Sequence, residues 1–204
     1  MSDTQSIDNR TLKEYAIDTY EIVIRNFMIS LYDLEPQNII KQISEDTNHI
    51  FWILGHCTSH VDIVLGQQCQ GKSVLSKEQH KHFGYGIAKE LAHQKPEISY
   101  LDFIEHFITI TDNALEFLKN LPEEKYRELP QYPGENSNNV SILMEIQIIA
   151  LHLMGHMGQI TAIRRKLGNP VPYGFVAGKT KESRDKIYAG FLRKWKESKD
   201  NFSK

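Results

Sequence analysis

A chain of 204 residues with 25% charged and 40% hydrophobic side chains can bury a core of its own, and the composition is ordinary for a globular domain. Its net charge of −2 at pH 7 excludes a global basic field of the kind that attracts nucleic acid, and no nucleic-acid-binding residue is assigned. Two cysteines, Cys57 and Cys69, fall on one predicted helix about 18 Å apart, which excludes a disulfide between them.

The opening segment "MSDTQSIDNR" lacks the basic and apolar regions of a secretory signal, and no apolar run approaches the roughly 20 residues of a membrane span. The expectation is a cytoplasmic chain with no membrane partner. Residues 1–204 read as one domain with its core at about 10–175. Apolar residues at helical spacing (Tyr15, Tyr20, Val23, Ile24, Phe27, Leu31) predict a helix over residues 12–34 that stops before Pro36. "PQNIIKQISEDTN" reads as a short helix and a connector. A second long helix is predicted over residues 48–70, ended by Gly71. Residues 71–98 are polar and read as a long crossover holding a short helix.

A third helix opens at Ser99, where "SYLD" resembles a capping box, and runs to Leu121 before Pro122. After a loop rich in Pro, Gly and Asn, the fourth helix spans residues 140–167, with Asn138 or Asn139 as its cap and Gly168 past its end. The "NPVPYGFVAG" loop leads to a polar helix over residues 181–199. Residues 179–204 hold nine Lys or Arg against four Asp or Glu, which reads as a solvated basic helix rather than a dock for an acidic partner. The pattern contains no β-alternation. It predicts an all-α fold, a four-helix bundle with a long crossover connection and an extra C-terminal helix.

At 100° per residue along the fourth helix, Glu145, His156, Gln159 and Ile163 fall within about 40° of His152, and Ile149, Leu153 and Ile160 beside them mark the core. His152 and His156 are an i, i+4 pair that can hold one ion. The second helix repeats the spacing with His56 and His60. Two facing helices that each present such a pair are how bundles build metal sites. Three neutral imidazoles leave a position open for water or substrate, whereas His60 as a fourth ligand would close the site into a structural one. His60 is therefore either an alternative ligand or a general base. Glu145 is a candidate to accept the second N–H of a ligand imidazole and Gln159 to hydrogen-bond beside it, and Arg164 and Arg165 suit the helix C-terminal dipole. Cys57, about 100° round from His56, reads as a small buried hydrophobe. His80, His82, His93 and His106 are assigned no role.

The element "WILGH" (Trp52 to His56) and the later "HLMGHMGQI" (His152 to Ile160), followed by "IRRKLGNPVP", resemble the DinB/YfiT-like superfamily over most of residues 10–175. The resemblance implies a four-helix bundle that holds a divalent metal, zinc or nickel, on three histidines, which by position are His56, His152 and His156. The family includes thiol-dependent transferases and isomerases that use low-molecular-weight thiols. An ion on such a site can activate either a small thiol or water. The expectation is a metal-dependent transferase or hydrolase acting on a small-molecule substrate, with a homodimer among the assemblies the sequence leaves open. The alternative is a non-catalytic, stress-related bundle with a structural metal. The sequence departs from the usual pattern at His60.

Overall fold

Thr11 opens the first helix with a reciprocal cap: its Oγ1 accepts the Glu14 N–H at 3.2 Å, and the Glu14 carboxylate accepts the Thr11 N–H at 2.7 Å. From that start, a computed structural model describes residues 10–34, 36–84, 97–134, 137–171 and 178–202. Among these described residues the chain forms seven α-helices and no strand: α1 (Leu12–Ser30), α2 (Pro36–Ile39), α3 (Ile50–Val61), α4 (Lys77–Phe83), α5 (Tyr100–Asn120), α6 (Ile142–Lys166) and α7 (Lys181–Phe202). A π-helical segment, Asp62–Gln68, continues α3, and a 3-10 turn, Glu123–Arg127, precedes α6.

Four helices pack in a ring, α1 against α6, α6 against α3, α3 against α5 and α5 against α1. The aromatic centre of this ring is a run of tilted and edge-to-face pairs, the arrangement the ring quadrupoles favour. Phe83 lies 5.0 Å from Phe103 and 5.9 Å from Phe51, and Phe27 lies 5.8 Å from Phe107.

Several boundaries differ from the sequence expectation for identifiable reasons. The helix predicted to run to residue 34 ends at Ser30, and Asp33 takes a positive φ of 50° just beyond it. The helix predicted over 48–70 changes to π-helical turns at Asp62. There the buried Asp62 carboxylate accepts Ser73 Oγ at 2.7 Å, Leu75 N at 3.0 Å and Val74 N at 3.1 Å, tying the returning chain to α3. Ser141, not Asn138 or Asn139, caps α6 by accepting the Met144 N–H at 3.3 Å. Asn138 instead donates to Glu145.

The C-terminal helix is docked and not merely solvated. Arg184 donates to Glu21 at 2.8 Å and to Asp18 at 2.6 Å, Trp195 Nε1 donates to the Leu101 carbonyl at 2.9 Å, and Phe191 is buried. Arg164 is likewise more than a dipole partner. Its buried guanidinium donates to the Ser30 carbonyl at 2.7 Å, to Asn169 O at 2.9 Å and to Asn169 Oδ1 at 2.7 Å, strapping the end of α6 to the end of α1.

The short helix α4 lies along one face of α3. Gly55 allows this, because a Cβ there would sit 2.2 Å from Phe83 Cδ1. Phe83 is held between Phe51 and Phe103 and has nowhere to retreat. Gly55→Ala should therefore destabilise the fold by about 1–3 kcal/mol, the usual cost of overpacking a filled core. Urea unfolding reads this as a lower midpoint; an unchanged midpoint would mean that α4 is free to lift from α3.

Candidate metal centre

His56 stands on α3, and His152 and His156 stand one turn apart on α6, where the two helices pack in the ring. Their rings converge through one kind of atom. His56 Nε2 lies 3.1 Å from His152 Nε2, and His156 Nε2 lies 3.0 Å from the same nitrogen. The three side chains are half-buried, and their ligating nitrogens all fall within 4.8 Å of one another.

The other face of each ring is already engaged. His56 Nδ1 donates to the Phe83 carbonyl at 2.8 Å, and His156 Nδ1 lies 2.8 Å from Gln159 Oε1. A carbonyl oxygen only accepts, so Nδ1 carries the proton in both rings and Nε2 is bare. His152 Nδ1 meets His60 Nδ1 at 2.8 Å, with one proton between them.

Burial holds His152 down to about 3, with the neighbouring His60 and His156 adding to it, and it also lowers His56 and His156. The cluster is neutral at pH 7. A single proton on His152 can relieve at most one of the two Nε2···Nε2 contacts, whereas a cation at their centre relieves both. Imidazole nitrogens bound to a tetrahedral ion at about 2.0–2.1 Å would lie about 3.3 Å apart, close to the two separations measured to His152, and the third pair lies within 4.8 Å. The donor set therefore fits a divalent metal, with the Nδ1 partners supplying the outer hydrogen bonds that fix tautomer and ring orientation.

Trp52 packs flat on His56, with ring centroids 4.8 Å apart and planes 9° from parallel, and its Nε1 donates to the His82 carbonyl at 3.2 Å. The last carbonyls of α4 thus hold both the first ligand and the ring stacked on it.

The other residues singled out in the sequence fall as follows. His60, on the side of His152 away from the convergent nitrogens, is pushed down to about 4 by burial and is the partner of His152 Nδ1. Gln159 is bonded to His156. Glu145 is fully buried on α6, but its carboxylate takes Asn138 at 3.2 and 3.3 Å instead of an imidazole N–H, and burial raises its pKa. Cys57 is buried, its thiol raised well above the ordinary value by burial. Residues 172–177 of the "NPVPYGFVAG" loop and His93 lie outside the described residues.

Two histidines given no role have one. His82 supplies the carbonyl under Trp52. His80 on α4 accepts or donates through Nδ1 to Ser59 at 2.7 Å and reaches the Asp62 carboxylate at 3.1 Å through Nε2, so it pins α4 to α3. Burial raises the Asp62 carboxyl, but hydrogen bonds from His80, Ser73, Leu75 and Val74 outweigh it and hold the group below its usual range. The "SKEQ" capping box at Ser76 and Gln79 is a sequence feature that could have located α4 within the crossover. Nothing in the sequence marked its carbonyls as partners of Trp52 and His56.

No protein-family model matches the chain, and no curated protein is significantly similar to it.

The depressed histidines set a pH dependence. In the unfolded chain an imidazole titrates near about 6.5, whereas His152 and His60 fold with values of about 3 and about 4. The unfolded state therefore binds protons first as pH falls. Stability of the metal-free protein should be complete above about 6.5 and be lost progressively toward pH 4, with metal affinity persisting below 6.5. Thermal melts of chelated protein at pH 8, 6 and 5 measure the first effect; a melting temperature constant across that range would contradict neutral, buried imidazoles.

Proposed function

We propose that this chain is a divalent-metal-dependent enzyme of the DinB/YfiT-like type, a four-helix bundle in which His56, His152 and His156 hold zinc or nickel. The observation that carries the reading is the convergence of three Nε2 atoms on rings that are each engaged through Nδ1 on the outer side. A divalent ion on three neutral imidazoles keeps its full positive charge and a position for an outside ligand, so when bound it favours the deprotonated form of a small thiol or of water.

The chain's own residues then do three things. Phe83, Gln159 and His60 fix the ligand tautomers. Trp52 and the aromatic centre behind α3 exclude water from one side of the cluster. His60, bonded to His152 Nδ1, accepts the proton that fixes that ring and so acts as a positioning residue and not as a fourth ligand. The structural-metal alternative needs a closed set of four, and the engagement of His60 behind His152 counts against it. The reaction served is transfer of a thiol or water to a small electrophilic molecule, a transferase or hydrolase activity.

Metal analysis tests the ligand set. His56→Ala, His152→Ala and His156→Ala should each reduce bound metal to near zero, while His106→Ala leaves it unchanged. His60→Ala should weaken metal affinity by about 10- to 100-fold without abolishing it, the usual loss when an outer partner is removed. If His60→Ala loses more metal than His56→Ala, the site lies one turn along α3.

A second measurement addresses the chemistry. With cobalt in place of the native metal, a low-molecular-weight thiol should produce a sulfur-to-cobalt charge-transfer band that disappears in His156→Ala. A cobalt spectrum unmoved by any thiol would leave water as the activated group or the metal as a purely structural one.

A further inference from the structure

A cavity of about 640 Å³ lies between the end of α1, α2, the starts of α3 and α5, and one face of α7. None of the clustered histidines lines it. Protein interiors leave few gaps larger than a water molecule, and this volume falls in the range of about 300–1,000 Å³ that accepts a small organic ligand.

The wall that could close the cavity is α7, and specific contacts pin it on two sides. The Tyr32 hydroxyl donates to the Ile187 carbonyl at 2.6 Å, and Trp195 Nε1 donates to the Leu101 carbonyl at 2.9 Å. Gly190 is fitted to the first of these, since a Cβ there would sit 2.7 Å from the Tyr32 hydroxyl. α7 is thus set at a fixed distance from α1 and α5 and does not collapse into the space between them.

Five aromatic side chains line the cavity among the described residues: Tyr32, Phe51, Tyr100, Phe191 and Trp195. Tyr32 and Phe191 cross at 85°, and Phe51 and Tyr100 at 89°. Rings crossed in this way offer a flat aromatic molecule both stacking and edge contacts.

The charges at the rim already have partners. Lys194 pairs with Asp33, and Lys199 donates to Glu105 at 2.8 Å and lies 3.4 Å from Asp102. A ligand with a net charge would have to break one of these pairs.

Two hydroxyls in the wall differ. Those of Tyr100 and Ser198 have no hydrogen-bond partner among the described residues, although both side chains are half-buried. Burial pushes the Tyr100 pKa up, with the Arg164 charge acting against it, so the phenol stays a protonated donor. Such a donor in an apolar wall is satisfied by an acceptor from outside the chain.

We propose that this cavity binds an uncharged, flat aromatic molecule of about two to three rings bearing a carbonyl oxygen, which accepts from the Tyr100 hydroxyl. The rings of the ligand lie among the five aromatic side chains. No residue named here is a metal ligand, so the site stands or falls apart from the metal reading.

Prodan, an uncharged naphthyl ketone whose emission reports the polarity and hydrogen bonding around its carbonyl, tests this. It should bind the full chain with a dissociation constant on the order of 10 μM and shift its emission to the blue. Tyr100→Phe should weaken binding roughly three- to tenfold and move the bound emission further to the blue, because the hydrogen bond to the ketone is gone. A purely structural role for Tyr100 would leave that colour unchanged. Ser198→Trp, which fills the cavity from α7, should abolish binding with an unchanged circular dichroism spectrum.

Acetylnaphthalene should displace the dye, and naphthoate should do so at least roughly tenfold less well. Chelation should change nothing. Failure of the wild type to bind prodan overturns the proposal, and so does a Ser198→Trp protein that binds it as tightly. Naphthoate binding more tightly than the ketone would overturn the uncharged ligand class, and binding lost on chelation would place the dye at the histidine cluster instead.

Discussion

The Phe83 carbonyl takes the Nδ1 proton of His56, and that contact decides which nitrogen of the first imidazole faces the other two. A carbonyl at the end of a helix is a strong acceptor, because the last carbonyls of a helix have no partner of their own and lie at its negative pole. Here α4 offers two of them side by side, the His82 carbonyl to Trp52 and the Phe83 carbonyl to His56. The placement of α4 is in turn fixed from α3. Gly55 admits the Phe83 ring, Ser59 and Asp62 bind His80, and Asp62 gathers the backbone of the chain that leads into α4. A line of side chains on one face of α3 thus builds the scaffold that orients a side chain on the next face of the same helix.

Keeping several half-buried imidazoles neutral and crowded is costly without a cation, and the rest of the ring has to be rigid enough to hold them there. Two polar straps do this outside the aromatic centre. Arg164 fastens the end of α6 to the end of α1 through the Ser30 carbonyl and Asn169, and Asn169 in turn donates to the Asp33 carbonyl at 2.8 Å. Arg184 fastens α7 to α1 through Glu21 and Asp18. Both guanidiniums are buried and multiply bonded, the condition under which such a charge can be tolerated inside a protein. α1 is the common member, so motion of α6 relative to α3 is resisted from behind the site as well as within it.

The periodic part of this architecture was legible in the sequence. The long helices announced themselves by apolar spacing, Ser99 by its capping signature, and the histidine pairs by their i, i+4 repetition on two segments. What the residues could not disclose were contacts between segments without a periodic mark. Asp62 reads as an ordinary polar residue near a helix end, and only its capture of residues 73–75 gives it weight. Glu145 sat on the histidine stripe by angle, yet a stripe fixes direction and not depth, and two turns along the helix its neighbour is Asn138. The C-terminal helix misled for a related reason: nine basic residues over 179–204 suggested water on all sides, while Arg184, Phe191 and Trp195 together form its packed edge. Composition averages over faces, and here a single face determined the outcome.

The chain contains two tryptophans, and the fold has placed them in separate electronic surroundings. Trp52 lies flat on the first imidazole of the cluster, while Trp195 is on α7, its Nε1 bonded to α5 and the Lys199 ammonium 5.1 Å from its ring. An indole's emission responds to a charge that appears against its face. Trp52 is therefore a built-in optical gauge of what happens at His56, and Trp195 of whether the last helix is seated. With either one replaced by phenylalanine, the light from the other separates events at the cluster from events at the far side of the molecule.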